Sequence, residues 1–157
     1  MISYITDFHE AVYKTPSKYP KKIYKLCRLI DKLLKQKNIV YDDSDVQVFE
    51  MVCSYLHHAE GEWAHQPFVL DREQKWIVSM LLGIKEYSTR YRRYLRYFRE
   101  LVLLVARKWG KSLFVSALII YFLAFDDEYG AQVYCTATNK KQARIIWNNA
   151  EIGRAHV

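Results

Sequence analysis

Cysteine, proline and glycine are scarce in this chain of 157 residues, which has three, three and five of them. Cys27, Cys53 and Cys135 are scattered, odd in number and form no Cys-x-x-Cys pair. That excludes a disulfide scaffold and a cysteine-rich zinc module, and suits a reducing compartment. His57, His58 and His65 with Cys53 fit no standard zinc-ligand spacing. Little proline and glycine, beside 51% apolar and 15% aromatic residues, excludes a disordered tail, a collagen-like fibre and a low-complexity linker. The opening residues hold no basic segment followed by an apolar one, so no signal peptide is read there. The longest apolar run, Leu113 to Phe125 broken by Ser116, falls short of the roughly 18–20 residues that cross a bilayer.

What is present is apolar material for a core and an excess of basic charge. Lys plus Arg is 24 and Asp plus Glu 17, so the net charge is 24 − 17 = +7. Such an excess suits an anionic partner, nucleic acid or nucleotide, and says nothing about fold. The length suggests about one domain. Ile5, Phe8 and Val12 predict a short helix over 2–13, interrupted by Pro16 and Pro20. Ile23, Leu26, Cys27, Ile30, Leu33 and Leu34 predict an amphipathic helix over 21–37 with lysines on its outer face. Ser44 to Gln47 fits a capping box, and Phe49, Val52, Cys53 and Leu56 make the buried stripe behind it. Gly61 to Gln66 reads as an exposed link and a boundary. Asp71 to Gln74 is a second capping box, followed by Trp76, Ile77, Met80 and Leu81, with Gly83 placed to end the helix.

The pattern then changes. Leu101–Val105 is a continuous apolar run of the kind found in a strand buried on both faces. A buried helix follows from Leu113, a turn at Asp126–Gly130, a second strand at Ala131–Ala137 and a helix over Asn139–Asn149. Strand, helix, strand, helix predicts a βαβ unit on a parallel sheet. Gly110-Lys111-Ser112 sits between the first strand and its helix, the context a phosphate-binding loop needs. A helix start offers free N–H groups and the positive end of its dipole. Lys111 supplies a mobile charge for the β- and γ-phosphates, and the Ser112 hydroxyl a ligand for Mg²⁺. The usual opening glycine of such a loop is replaced by Val105 and Ala106. Arg107 and Lys108 read equally as groups acting on the γ-phosphate or as a solvated basic loop.

Val105-Ala-Arg-Lys-Trp-Gly-Lys-Ser112 resembles the variant Walker A loop of tailed-phage terminase large subunits, which commonly reads A-R-K-x-G-K-S/T. Phe68 to Ile77, Arg92-Arg93 and Gly130 to Ala143 resemble further stretches of that family in order, over about residues 46–150. The resemblance implies an α/β P-loop NTPase with a parallel sheet, cut early, preceded by a helical region over 1–66 and starting near 67. It implies ATP and Mg²⁺ as cofactors, held by the loop Ala106, Lys108, Trp109, Gly110, Lys111 and Ser112. It makes Arg107 a cis arginine finger, Gln74 an adenine-side glutamine and Gln142 a residue coupling nucleotide state to DNA. Gln74 reads equally as the reciprocal member of its capping box, and one amide hardly serves both.

The implied protein is a DNA-packaging ATPase in the bacterial host's cytoplasm, with a nuclease in its full-length form. Its partners are double-stranded DNA, a portal, a small terminase subunit and further copies of itself, with no membrane. No strand ending in Asp-Glu and no nuclease carboxylate cluster is present, and Asp126-Asp127-Glu128 reads as a turn. Glu151–Val157 back-translates to a string like a sequencing adapter, so 151–157 is expected to be an artefact and 1–150 an N-terminal piece, inactive alone. Two other readings compete: a helicase-like translocase, and a basic DNA- or protein-binding module with an accidental Gly-Lys-Ser. Arg90 to Arg99, five arginines among four aromatics, reads either as a DNA-facing patch or as a linker with its rings turned inward, the second being preferred.

Overall fold

The computed structural model describes residues 3–58, 64–126, 130–137, 139–141, 144 and 146–148. Its elements are α1 (Tyr4–Lys14), α2 (Lys21–Leu33), β1 (Ile39–Tyr41), α3 (Ser44–Tyr55), α4 (Arg72–Val78), β2 (Ile84–Ser88), β3 (Arg93–Arg96) and α5 (Lys111–Ala124). They fall into two compact units that interleave along the chain. The first is Met1–Val46 with Asp71–Val102, the second Gln47–Leu70 with Leu103–Val157.

In the first unit Ser3 caps α1, its Oγ accepting from the Thr6 N–H at 3.2 Å. The helix buries Ile5, Phe8, His9 and Val12, one stripe at helical spacing. Pro16 opens a single 3₁₀ turn and Pro20 precedes α2, so the two prolines set the corner between the helices. Cys27 and Ile30 of α2, Ile39, Ile84 and Trp76 complete the core. Phe8 stacks on the Trp76 ring at 4.3 Å between centroids. The one buried histidine there is fully engaged: His9 Nε2 accepts from Trp76 Nε1 at 3.0 Å, and Nδ1 meets Asp31 at 2.7 Å.

The three strands pair antiparallel in the order β1-β2-β3, with Val40 opposite Lys85 and Tyr87 opposite Tyr94. The expected parallel sheet is absent among the described residues. β2 and β3 are joined only by Thr89–Arg92, with Arg92 left-handed at φ 52°, and so short a link permits only antiparallel pairing. Tight packing holds the inner end. Lys85 bridges Asp42 at 2.9 Å and Asp45 at 2.8 Å. The Ser44 N–H and then the Lys85 ammonium hold the Asp42 carboxyl at about 2, well below its usual range. The Ser44 amide is thus capped from Asp42, two residues before the expected capping box.

α4 widens after Val78 into one π-type turn, Ser79–Gly83. Gly83 is not left-handed and so is not the helix cap expected of it. It is required for space: a Cβ there would lie 2.7 Å from Tyr41 Cε2 and 3.1 Å from the Asp42 carbonyl. Gly83→Ala is therefore expected to destabilise by about 1–3 kcal/mol, as overpacked sites do. Thermal melts should show this, and Tyr41→Ala should relieve much of it. An unchanged melting temperature would refute the close approach.

In the second unit the remainder of α3 buries Phe49, Val52, Cys53 and Leu56, and Phe68 and Leu70 are buried as well. Phe49 meets the rings of Phe114 and Tyr121 edge-on at 5.6 and 6.2 Å. α5 buries Leu113, Phe114, Ser116, Ala117, Ile119, Ile120 and Tyr121, residues from all round its circumference. No helix among the described residues is long and apolar enough to cross a membrane. Cys27, Cys53 and Cys135 are free thiols, the first two buried.

The two expected strands are not found among the described residues. Residues 101–105 and 131–137 enter no ladder among the described residues, and Val102, Leu104 and Tyr134 are exposed, at 82%, 92% and 79%. A strand is buried on both faces only when neighbours flank it and layers cover it, and among the described residues neither is in place. Described residues within 140–148 are helical, as expected for that segment.

Candidate functional site

The second unit presents the loop singled out from the sequence. Residues 107–109 turn sharply, with Lys108 left-handed at φ 71°, and Gly110 is left-handed at φ 90° as the N-cap of α5. Gly110 adopts that backbone without a Cβ penalty, whereas Lys108 carries it at a cost of about 1–2 kcal/mol. No side chain caps α5. The Phe114 N–H bonds the Gly110 carbonyl at 3.0 Å, and the three N–H groups before it have no partner within the helix. A 14-residue helix ending in free amides presents donors and a positive dipole end to an anion.

Lys111 folds back across this loop. Its ammonium donates to the Val105 carbonyl at 3.2 Å and the Ala106 carbonyl at 2.9 Å. The charge is thus held on the loop that leads into α5 by neutral backbone acceptors, which an anionic oxygen readily replaces. Ala106, Arg107, Lys108 and Ser112 are exposed, and Trp109, Gly110 and Lys111 half-buried. Trp109 packs edge-on to Phe114 at 5.5 Å, anchoring the loop to the first turn of α5. Behind it, Ser116 Oγ lies 2.7 Å from the Ser112 carbonyl and 2.9 Å from that of Ile146. Free amides, a neighbouring ammonium and the exposed Ser112 hydroxyl fit a phosphate group carrying a divalent cation.

Gln74 belongs to the first unit and Ala106–Ser112 to the second. It is buried in a complete capping box: its Oε1 accepts from the Asp71 N–H at 3.0 Å and its N–H donates to Asp71 Oδ1 at 2.7 Å. Gln142 lies outside the described residues, as do 127–129 of the expected turn, 61–63 of the expected link and all of 151–157.

The stretch from Arg90 to Arg99 forms the tip and second strand of the β2–β3 hairpin, a feature not read from the sequence. Tyr91, Tyr94 and Tyr97 are exposed, at 57%, 45% and 40%. The preferred reading, rings turned inward, therefore fails for the tyrosines. Tyrosines spaced along 87–97 and β-branched Ile39-Val40 were the available strand signals. They were masked because the turn, Thr89-Arg90-Tyr91-Arg92, contains none of the Asn-Gly or Asp-Gly pairs that mark hairpins.

Compared with known families, residues 74–154, just over half of the chain, match the family model of the terminase large subunit ATPase domain. No curated protein and no solved structure matches the chain.

Proposed function

The chain belongs to the terminase large subunit ATPase family, and from that premise we propose that Ala106–Ser112 bind ATP and use its hydrolysis to move double-stranded DNA into a procapsid. The observation that carries this is the uncapped start of α5 together with the Lys111 ammonium held only by neutral carbonyls, among the described residues, on the loop that leads into it. The amides of that turn and Lys111 bind phosphate oxygens, and Lys111 exchanges its two carbonyls for them. Mg²⁺, when bound, would neutralise charge on the phosphates, and Ser112 would be its ligand from this chain. Arg107 stabilises the charge that builds on the transferred phosphoryl group.

The reading extends to a parallel P-loop sheet using 101–105 and 131–137 as strands. It divides the chain into a helical region over 1–66 and an ATPase domain from 67. It assigns a portal, a small terminase subunit and self-association as partners, a nuclease to the large subunit, and the host cytoplasm as location. Titrating Mg²⁺–ATP against the chain tests the reading. Saturable, magnesium-dependent binding in competition with ADP is expected, and a flat titration would point to a basic binding module instead.

Gln74 offers a separate check. Gln74→Glu keeps a carbonyl oxygen for the Asp71 amide, since Glu serves in capping boxes as well as Gln, but removes the amide donor. If Gln74 also reads adenine, preference for ATP over GTP should fall about 10-fold, the worth of one good base contact. If it only caps, that preference stays as it is and only the melting temperature falls, because the new carboxylate is buried.

A further inference from the structure

The Arg90–Arg99 stretch is not absorbed by nucleotide chemistry. From Tyr87 to Arg99 the chain carries five arginines and no carboxylate. The hairpin concentrates three of them, Arg90, Arg92 and Arg93, at its tip, all exposed. None of the three makes an ion pair among the described residues. The nearby charges are accounted for elsewhere: Lys85 is held by Asp42 and Asp45, and Glu86 accepts from Asn38 at 2.9 Å. The left-handed backbone at Arg92 turns the chain sharply at the point of highest charge.

Tyr87 and Tyr94 face each other across the strands at 5.3 Å, on the face opposite the buried Ile39 and Ile84. Arg90 lies over the Tyr91 ring at 5.4 Å. A two-stranded ribbon with a cationic tip and exposed phenols is a surface suited to a polyanion. Its width matches a groove of duplex DNA, which admits a two-stranded β-ribbon. Arginines on both sides of the tip suit phosphates lining both sides of a groove, and tyrosine hydroxyls donate to phosphate oxygens as well.

We propose that the β2–β3 hairpin tip is a sequence-independent contact for the phosphate backbone of double-stranded DNA, made by Arg90, Arg92 and Arg93. The choice of duplex rests on the packaging reading, while the cationic ribbon itself does not. The partner is recognised by charge spacing, so its strength depends steeply on salt.

The test is fluorescence anisotropy of a labelled duplex of about 30 base pairs, roughly three helical turns, with the 157-residue chain. Each phosphate contact adds about 0.9 to the salt slope. Arg90→Gln/Arg92→Gln/Arg93→Gln should therefore lower the slope by about 2.7. Between about 50 and about 200 mM salt the parent should lose about 40-fold more affinity than the variant. Lys21→Gln/Lys22→Gln/Lys25→Gln removes the same charge from the exposed face of α2 and should leave the slope nearly unchanged.

Equal losses in the two variants would overturn the proposal in favour of a diffuse basic field. So would an unchanged hairpin variant, an undetectable parent complex, tighter binding to single strands, or loss confined to anionic lipid vesicles. Unaltered circular dichroism melts establish that the variants fold. Mg²⁺–ATP titration of the same hairpin variant keeps the two readings apart. A hairpin-dependent duplex slope in a chain that binds no nucleotide leaves this inference standing and removes the ATPase one.

Discussion

Lys111→Ala is expected to weaken Mg²⁺–ATP binding by about 10- to 100-fold, the worth of about 1.5–3 kcal/mol for a hydrogen bond to a charged group. On the proposed reading, ATP turnover by a terminase large subunit carrying this sequence should fall further, by about 10²–10³, because the charge would act most strongly where the phosphoryl group develops negative charge. The expectation follows from the resting contacts. Among the described residues Lys111 donates only to the Val105 and Ala106 carbonyls, so no carboxylate in those contacts competes with phosphate for it. Those carbonyls lie in an exposed or half-buried loop and take water when the ammonium is gone. The fold should therefore lose less than about 1 kcal/mol, which a thermal melt reads independently of activity. Lys111→Arg is not a rescue, because a broad planar fork does not replace a compact ammonium within a tight loop. A folded Lys111→Ala protein with undiminished turnover would dismiss the loop as an ATP site.

Arg107→Ala separates rate from binding. Arg107 sits in the exposed turn ahead of Gly110 and makes no ion pair among the described residues. Nothing among the described residues depends on its charge, so the melting temperature should not move. If it acts as an arginine finger in cis, turnover falls by about 10³–10⁵ while Mg²⁺–ATP affinity changes less than about 3-fold. Single-turnover and titration measurements on the same protein give both numbers. Equal falls in affinity and rate would mean that Arg107 contributes ground-state binding alone. No fall in either would leave it as part of a solvated basic loop.

The sequence and the structure agree where periodicity is strong and local. The stripe of Ile5, Phe8 and Val12, the α2 pattern, the Asp71–Gln74 box and the helix after Gly110 are all found close to their expected bounds. The loop Ala106–Ser112 could be placed ahead of its helix because a short motif needs only the chain on either side of it. The sheet was not. Its strands are three to five residues long, and β1 pairs with β2 across more than forty residues of chain, beyond the reach of local pattern. Gly83 was misread because a glycine after a helix fits both a left-handed cap and a close approach. Only the Tyr41 ring beside it decides. Leu101–Val105 was read by composition alone, and composition does not supply the neighbours that bury a strand.

The three thiols differ in a way that gives the chain a built-in attachment point. Burial, and then the Asp31 charge, pushes Cys27 up to about 11, and burial pushes Cys53 up as well. At neutral pH both are almost wholly protonated and shielded, so a maleimide dye reaches them slowly if at all. Cys135 is partly exposed, between α5 and Asn139. A brief labelling step should therefore place one fluorophore per molecule at Cys135 without any engineered cysteine. Its emission would then report on the segment after α5 as nucleotide or DNA is added.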